Sequence, residues 1–251
     1  MKPPDELYRF HVANLQAIDT AIRRVTLSLR AAISSGDEKT ICAFVRLYAL
    51  LLGAWAECRL CKLVYEPNGF NEQERTFIRS RSTQLEQWHT AVEIAFRKYY
   101  NVPKALLSDK SLAHSTYSQY ATILDMLEKD LRPIIELRNK LAHGQWVYPL
   151  NNTGDDVAQK QMGALRGENL LSLQFKKALV SYLSDVIHDL VVSRPTFERD
   201  FNEHYRAIVA TRCNLQRRDY KSYAKQMVKK YERGKAKRLR LFRAKRRLTS
   251  D

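Results

Sequence analysis

Cysteine is scarce in this chain, long apolar runs are missing, and acids almost vanish from one end. The four cysteines, Cys42, Cys58, Cys61 and Cys213, make no disulfide framework for 251 residues. Cys58-Arg59-Leu60-Cys61 is a single C-x-x-C without a second pair or nearby histidines, and so falls short of the four ligands of a zinc site. No metal and no cofactor is assigned. The eight glycines build no phosphate-cradling loop. The longest apolar run, Leu47 to Ala56, is 10 residues between Arg46 and Glu57, about half of a membrane span. No apolar stretch follows Met1-Lys2-Pro3-Pro4-Asp5-Glu6, so no secretion signal is visible. These absences predict a soluble, cytoplasmic protein without membrane contact. Strand-like alternation, a Ser/His/Asp set and paired carboxylates are missing as well.

What is present is helical periodicity and uneven charge. Apolar residues make up 45% of the chain, enough for a folded core. The net charge is +16, yet residues 212–251 hold 16 Lys/Arg against Asp219, Glu232 and Asp251, whereas residues 1–211 hold 27 basic and 24 acidic residues. A nearly balanced body therefore carries a polycationic tail, which points to a polyanionic partner, RNA or DNA ahead of a membrane. The tail interleaves Tyr220, Tyr223, Tyr231 and Phe242 with basic residues. That mixture suits single-stranded nucleic acid, which is held by phosphate neutralisation and stacking. The candidate contacts are Arg217, Arg218, Lys221, Lys225, Lys229, Lys230, Arg238 and Arg240. A solvated basic helix, or docking to an acidic protein, is the competing reading.

The chain reads as all-α: a bundle of four to five core helices in residues 1–211, then an extended basic C-terminal helix or tail in 212–251. A first helix runs from about Asp5 to Ser34. Asp37 caps a second, reaching Tyr65, apolar around much of its girth and hence central. After the Glu66-Pro67-Asn68-Gly69 turn, Asn71 with Glu74 opens a third helix to about Tyr100. A fourth spans about Thr116 to His143, interrupted at Pro133. Residues 144–167 contain four of the eight glycines and read as a long loop, either a lid or a mobile insertion. Helices follow over about Leu170 to Val192 and from Pro195 to about Cys213.

The end of the fourth helix, Glu136-Leu137-Arg138-Asn139-Lys140-Leu141-Ala142-His143-Gly144, places an arginine, an amide and a histidine on adjacent turns and stops at glycine. Helix geometry puts Asn139 and His143 about 40° apart on one face. An arginine fork suits non-bridging phosphate oxygens, and an imidazole, with an ordinary pKa near 6.5, suits proton transfer. The spacing recurs by chance: Arg199 and His204 share it, in an acidic stretch without a glycine stop. Glu57, a lone carboxylate on the apolar second helix, needs a partner, and Arg138 is the obvious one. Trp146 and Tyr148, just past the motif, offer faces for a base or simply pack on the bundle.

The 138–143 stretch resembles the R-N-x-x-x-H signature of the HEPN superfamily of helical ribonucleases. The resemblance implies a metal-independent endoribonuclease with Arg138 and His143 catalytic and Asn139 positioning. It also implies a homodimer whose composite site lies at the dimer groove, and a toxin or antiviral-defence role with an antitoxin or regulatory protein partner. The bland alternative is an ordinary helix end, with His143 at the dipole and Arg138 paired to Glu136 or Glu128. A non-catalytic RNA-binding or complex-assembly protein is the rival function.

Overall fold

The computed structural model describes residues 2–248; the side chains of residue 239 and of 241 onward, Phe242 among them, lie outside the described set. The described chain is all-α, its only strand-like feature an isolated bridge between Leu150 and Val157. The helices are α1 (Pro4–Ser35), α2 (Glu38–Val64), α3 (Glu72–Arg79), α4 (Gln84–Tyr99), α5 (His114–Met126), α6 (Arg132–Ala142), α7 (Gln159–Gly167), α8 (Leu170–Val192), α9 (Arg194–Arg217) and α10 (Tyr220–Leu248). A π-helical turn, Leu127–Leu131, joins α5 to α6.

α2 is the axis of the bundle. It buries Val45, Tyr48, Leu52, Trp55, Leu60 and Leu63, and α1, α4, α6 and α8 pack around it. By length and composition α2 is apolar enough to cross a membrane, but that apolarity serves here to meet neighbours on several sides. α8 and α9 form an antiparallel pair that closes the far side, with Phe197 and Phe201 inserted into the common core.

Local chemistry explains the boundaries. Asp37 caps α2 by accepting from the Thr40 backbone N–H at 3.1 Å. Asn71 and Glu74 exchange hydrogen bonds of 2.9 and 2.7 Å in a capping box at α3. The helix expected to continue to Tyr100 breaks instead at Ser80–Thr83, because Thr83 and Glu86 form a second capping box that starts α4. The interruption expected at Pro133 is present one turn earlier. The proline ring would collide with the carbonyl four residues back, and the chain widens into the π turn, where the Arg132 N–H reaches Leu127 O. Asp130 in that turn receives the Arg212 guanidinium from α9, with Nε at 3.0 and 3.1 Å from its two oxygens, which anchors the root of α6.

Glu66 ties three elements together. Tyr8 of α1 donates to it at 3.0 Å, Lys62 of α2 at 2.5 Å, and His188 of α8 lies 3.6 Å away. Burial would raise its carboxyl, but the nearby His188 ring and the hydrogen bonds from Lys62 and Tyr8 overcome this and hold it at about 2. A depressed folded-state value contributes stability above the ordinary value near 4.5 that is lost as pH falls toward 2. Glu66→Gln is expected to flatten the acid-side decline of stability over that window in denaturant titrations. An unchanged slope would show that other carboxylates set it.

Candidate functional site

Three positions build the motif. Ile134, Leu137 and Leu141 bury one face of α6 against the core, which turns Asn139, Ala142 and His143 outward. Arg138 lies between, half-buried, because its stem crosses α2 at Gly53. A Cβ built on Gly53 would sit 2.3 Å from Arg138 Cβ and 2.6 Å from its Cγ, so only glycine permits this approach. One turn along α2, Glu57 receives the Arg138 Nη2 donor. Nη1 donates to Asn139 Oδ1 at 3.1 Å. The guanidinium is thus held at both tips, and its side chain retains partial exposure.

The bland alternative for Arg138 does not hold: its carboxylate partner is Glu57, on α2. Glu128 instead receives Arg132 and lies 2.9 Å from His89, while Glu136 accepts from Lys160 and Gln161 of α7, each at 3.2 Å. The last carbonyls of α6 are also accounted for. His143 N–H reaches Asn139 O at 3.1 Å, Gly144 N–H reaches Leu141 O at 3.1 Å, and Gln145 N–H reaches Lys140 O at 3.0 Å. Gly144 takes φ +76, the left-handed conformation that ends helices. The His143 ring is therefore not needed as a cap. It is exposed and makes no hydrogen bond or ion pair among the described residues.

Trp146 is half-buried and packs on the bundle. Its indole Nε1 donates to Leu141 O at 3.0 Å and its ring packs on the core, so it closes the helix end. Tyr148 is 59% exposed, beside Val147 at 57%, five residues after His143 in the chain. Residues 144–167 are not one long loop. Lys140 Nζ and the Gln145 side chain bond the backbone of Leu150, at 2.5 and 2.8 Å, and the Asn151 side chain accepts from Gly154 N–H at 2.7 Å to fold the tip. The segment then winds into α7, whose Met162 and Leu165 are buried despite Gly163.

The other candidates separate clearly. In the second Arg-x4-His pair, Arg199 turns to its own neighbour Asp200 at 2.6 Å on the α9 surface, whereas His204 sits 3.2 Å from Asp189 of α8 and so joins α9 to α8. Cys58 and Cys61 face Glu57. Burial, reinforced by that charge, raises both thiols, Cys61 to about 11, so they stay protonated at neutral pH.

The basic segment is helical over its described length except at Arg218 and Asp219, which separate α9 from α10. α9 runs on to Arg217, four residues beyond the expected Cys213, and α10 passes Gly234 without a break. The first turns of α10 dock on α1: Tyr220, Tyr223, Ala224 and Met227 pack on the core. Two of the tail tyrosines are thereby committed to packing, not to bases. Tyr231 is 45% exposed. Arg217 at the end of α9, Arg218 in the turn, and Lys221, Lys225, Lys229, Lys230, Arg238 and Arg240 along α10 all lie exposed. No protein-family model, no curated protein and no solved structure matches the chain.

Proposed function

We propose that this protein is a HEPN-like endoribonuclease that cleaves RNA without metal, in a site completed by a second copy of the chain. The observation that carries the reading is the end of α6. A guanidinium fixed by Glu57 and Asn139 shares the end of the helix with an exposed imidazole, about 140° around the axis from it, that makes no hydrogen bond or ion pair among the described residues.

RNA supplies its own nucleophile, the 2′-hydroxyl. One His143 withdraws its proton as the 2′-oxygen bonds to phosphorus. The P–O5′ bond breaks, and the 5′-oxygen takes a proton from the second imidazole. The products are a 2′,3′-cyclic phosphate and a 5′-hydroxyl. Arg138 donates to the non-bridging oxygens, whose charge rises in the transition state. Base and acid require two imidazoles, and a two-fold pair of α6 ends provides them. Such a nuclease fits a toxin or antiviral-defence effector restrained by an antitoxin or another regulatory protein. Incubating purified protein with total RNA in EDTA tests the proposal: cyclic-phosphate ends support it, and intact RNA sinks it.

The exposed cations of α10 favour RNA delivery in the same scheme, and they alone support the second reading, a non-catalytic RNA-binding or assembly protein. Replacing Lys229 and Lys230 by glutamine is expected to weaken single-strand binding. It should also lower the slope of log affinity against log salt by roughly 0.7 for each phosphate no longer neutralised. Anisotropy titrations across a salt series check this. An unchanged slope would remove α10 from the RNA path.

A further inference from the structure

The N-terminal side of the molecule holds a second cationic site, unrelated to the motif. Tyr65 ends α2, and α3 lays Arg75 and Arg79, one turn apart, against its ring. The two guanidinium carbons stand 5.7 and 5.9 Å from the ring centroid. Arg79 Nη1 donates to the Tyr65 hydroxyl, and Arg75 Nη1 donates to Phe70 O at 2.7 Å. These bonds orient both forks and leave Nε and Nη2 of each without a protein acceptor among the described residues. Both arginines, with Lys2, line an open cavity of about 670 Å³. Glu72 also lines it but forms no ion pair with either arginine among the described residues.

Two guanidiniums held against one ring repel each other, and no carboxylate among the described residues touches them to offset this. A bound anion would. The imidazole of His11 already stacks on Tyr65 at 5.1 Å, so the ring offers little to a nucleobase. What the site presents is planar N–H forks, which match phosphoryl oxygens bidentately.

We infer that Arg75 and Arg79, braced on Tyr65, form a binding site for a terminal phosphoryl group. The same chemistry is offered by a free di- or triphosphate and by the 5′-phosphate of an RNA strand. The inference stands whether or not the chain cleaves RNA.

The test titrates the full chain calorimetrically with pyrophosphate, and by anisotropy with a short RNA bearing either a 5′-phosphate or a 5′-hydroxyl. The variants are R75Q/R79Q and K104Q/K110Q, the latter removing the same charge from exposed lysines elsewhere. Saturable pyrophosphate binding that weakens about tenfold or more in R75Q/R79Q, and stays unchanged in K104Q/K110Q, supports the site. A preference for 5′-phosphorylated RNA that R75Q/R79Q abolishes identifies the strand end as ligand. Equal affinity for the two RNAs, with pyrophosphate still bound, identifies a free phosphoryl compound. Absent pyrophosphate binding, or equal loss in the two double variants, overturns the inference. Should R75Q/R79Q fail to fold, Arg79→Lys keeps the charge and removes the fork, and undiminished affinity there overturns it equally.

Discussion

His143→Ala is expected to lower metal-free RNA cleavage by about 10²- to 10⁴-fold, the usual contribution of one positioned general acid or base. The loss should fall on kcat, because the exposed imidazole makes no hydrogen bond or ion pair among the described residues and the proposed scheme assigns RNA affinity to the cations of α10. In a composite site, one substitution removes both imidazoles of the pair. The residual rate then reflects only phosphorane stabilisation by Arg138. Arg138→Lys separates the two roles, since it retains the charge but loses the fork that now spans Glu57 and Asn139. Single-turnover cleavage of a labelled RNA in EDTA, with binding measured on the same samples, decides the matter. Wild-type cleavage that survives in His143→Ala would remove the histidine from the chemistry. Loss of binding in step with cleavage would assign it to substrate contact instead.

Gly53→Ala should be the most damaging single-methyl change in the bundle. By helix propensity alone the substitution is stabilising by about 1 kcal/mol. Packing reverses the sign. The new Cβ would stand 2.3 Å from Arg138 Cβ, an atom near the backbone that cannot swing away. α2 and α6 must therefore separate, and overpacking of this kind costs about 1–3 kcal/mol. The same shift draws Arg138 from Glu57, so cleavage should fall even where the fold survives. Urea unfolding gives the first effect as a lower midpoint, and cleavage rates in folded protein give the second. A midpoint at or above that of wild type would mean that α6 does not approach α2 this closely.

Much of the helical framework is legible in the sequence because its signals are local. Asn71 with Glu74, Asp37 before α2, and Pro133 inside the motif helix each act through backbone groups a few residues away. Thr83 with Glu86 is the same kind of signal, masked because Ile78 and Leu85, on either side of a wholly polar run, keep the seven-residue spacing of one continuous helix. α7 is not legible, because its two glycines and the Asn-rich turn before it read as loop. Burial of Met162 and Leu165 against the bundle outweighs the cost of Gly163 in a helix. Within the site, the pairing of Glu57 with Arg138 is readable as an isolated charge needing a partner, whereas Gly53 gives no signal inside its apolar run.

Residue order thus suffices for the all-α class, the central place of α2, the exposed C-terminal turn of α6 and the polycationic character of the tail. All of these follow from periodicity, capping and composition along the chain. Only the tertiary structure decided that Gly53 seats Arg138, that Trp146 closes a helix end, that Tyr220 and Tyr223 are spent on docking α10, and that Arg75 and Arg79 converge on Tyr65. The reason is physical. Each depends on segments of the chain meeting at one angle and one distance, which no local spacing encodes.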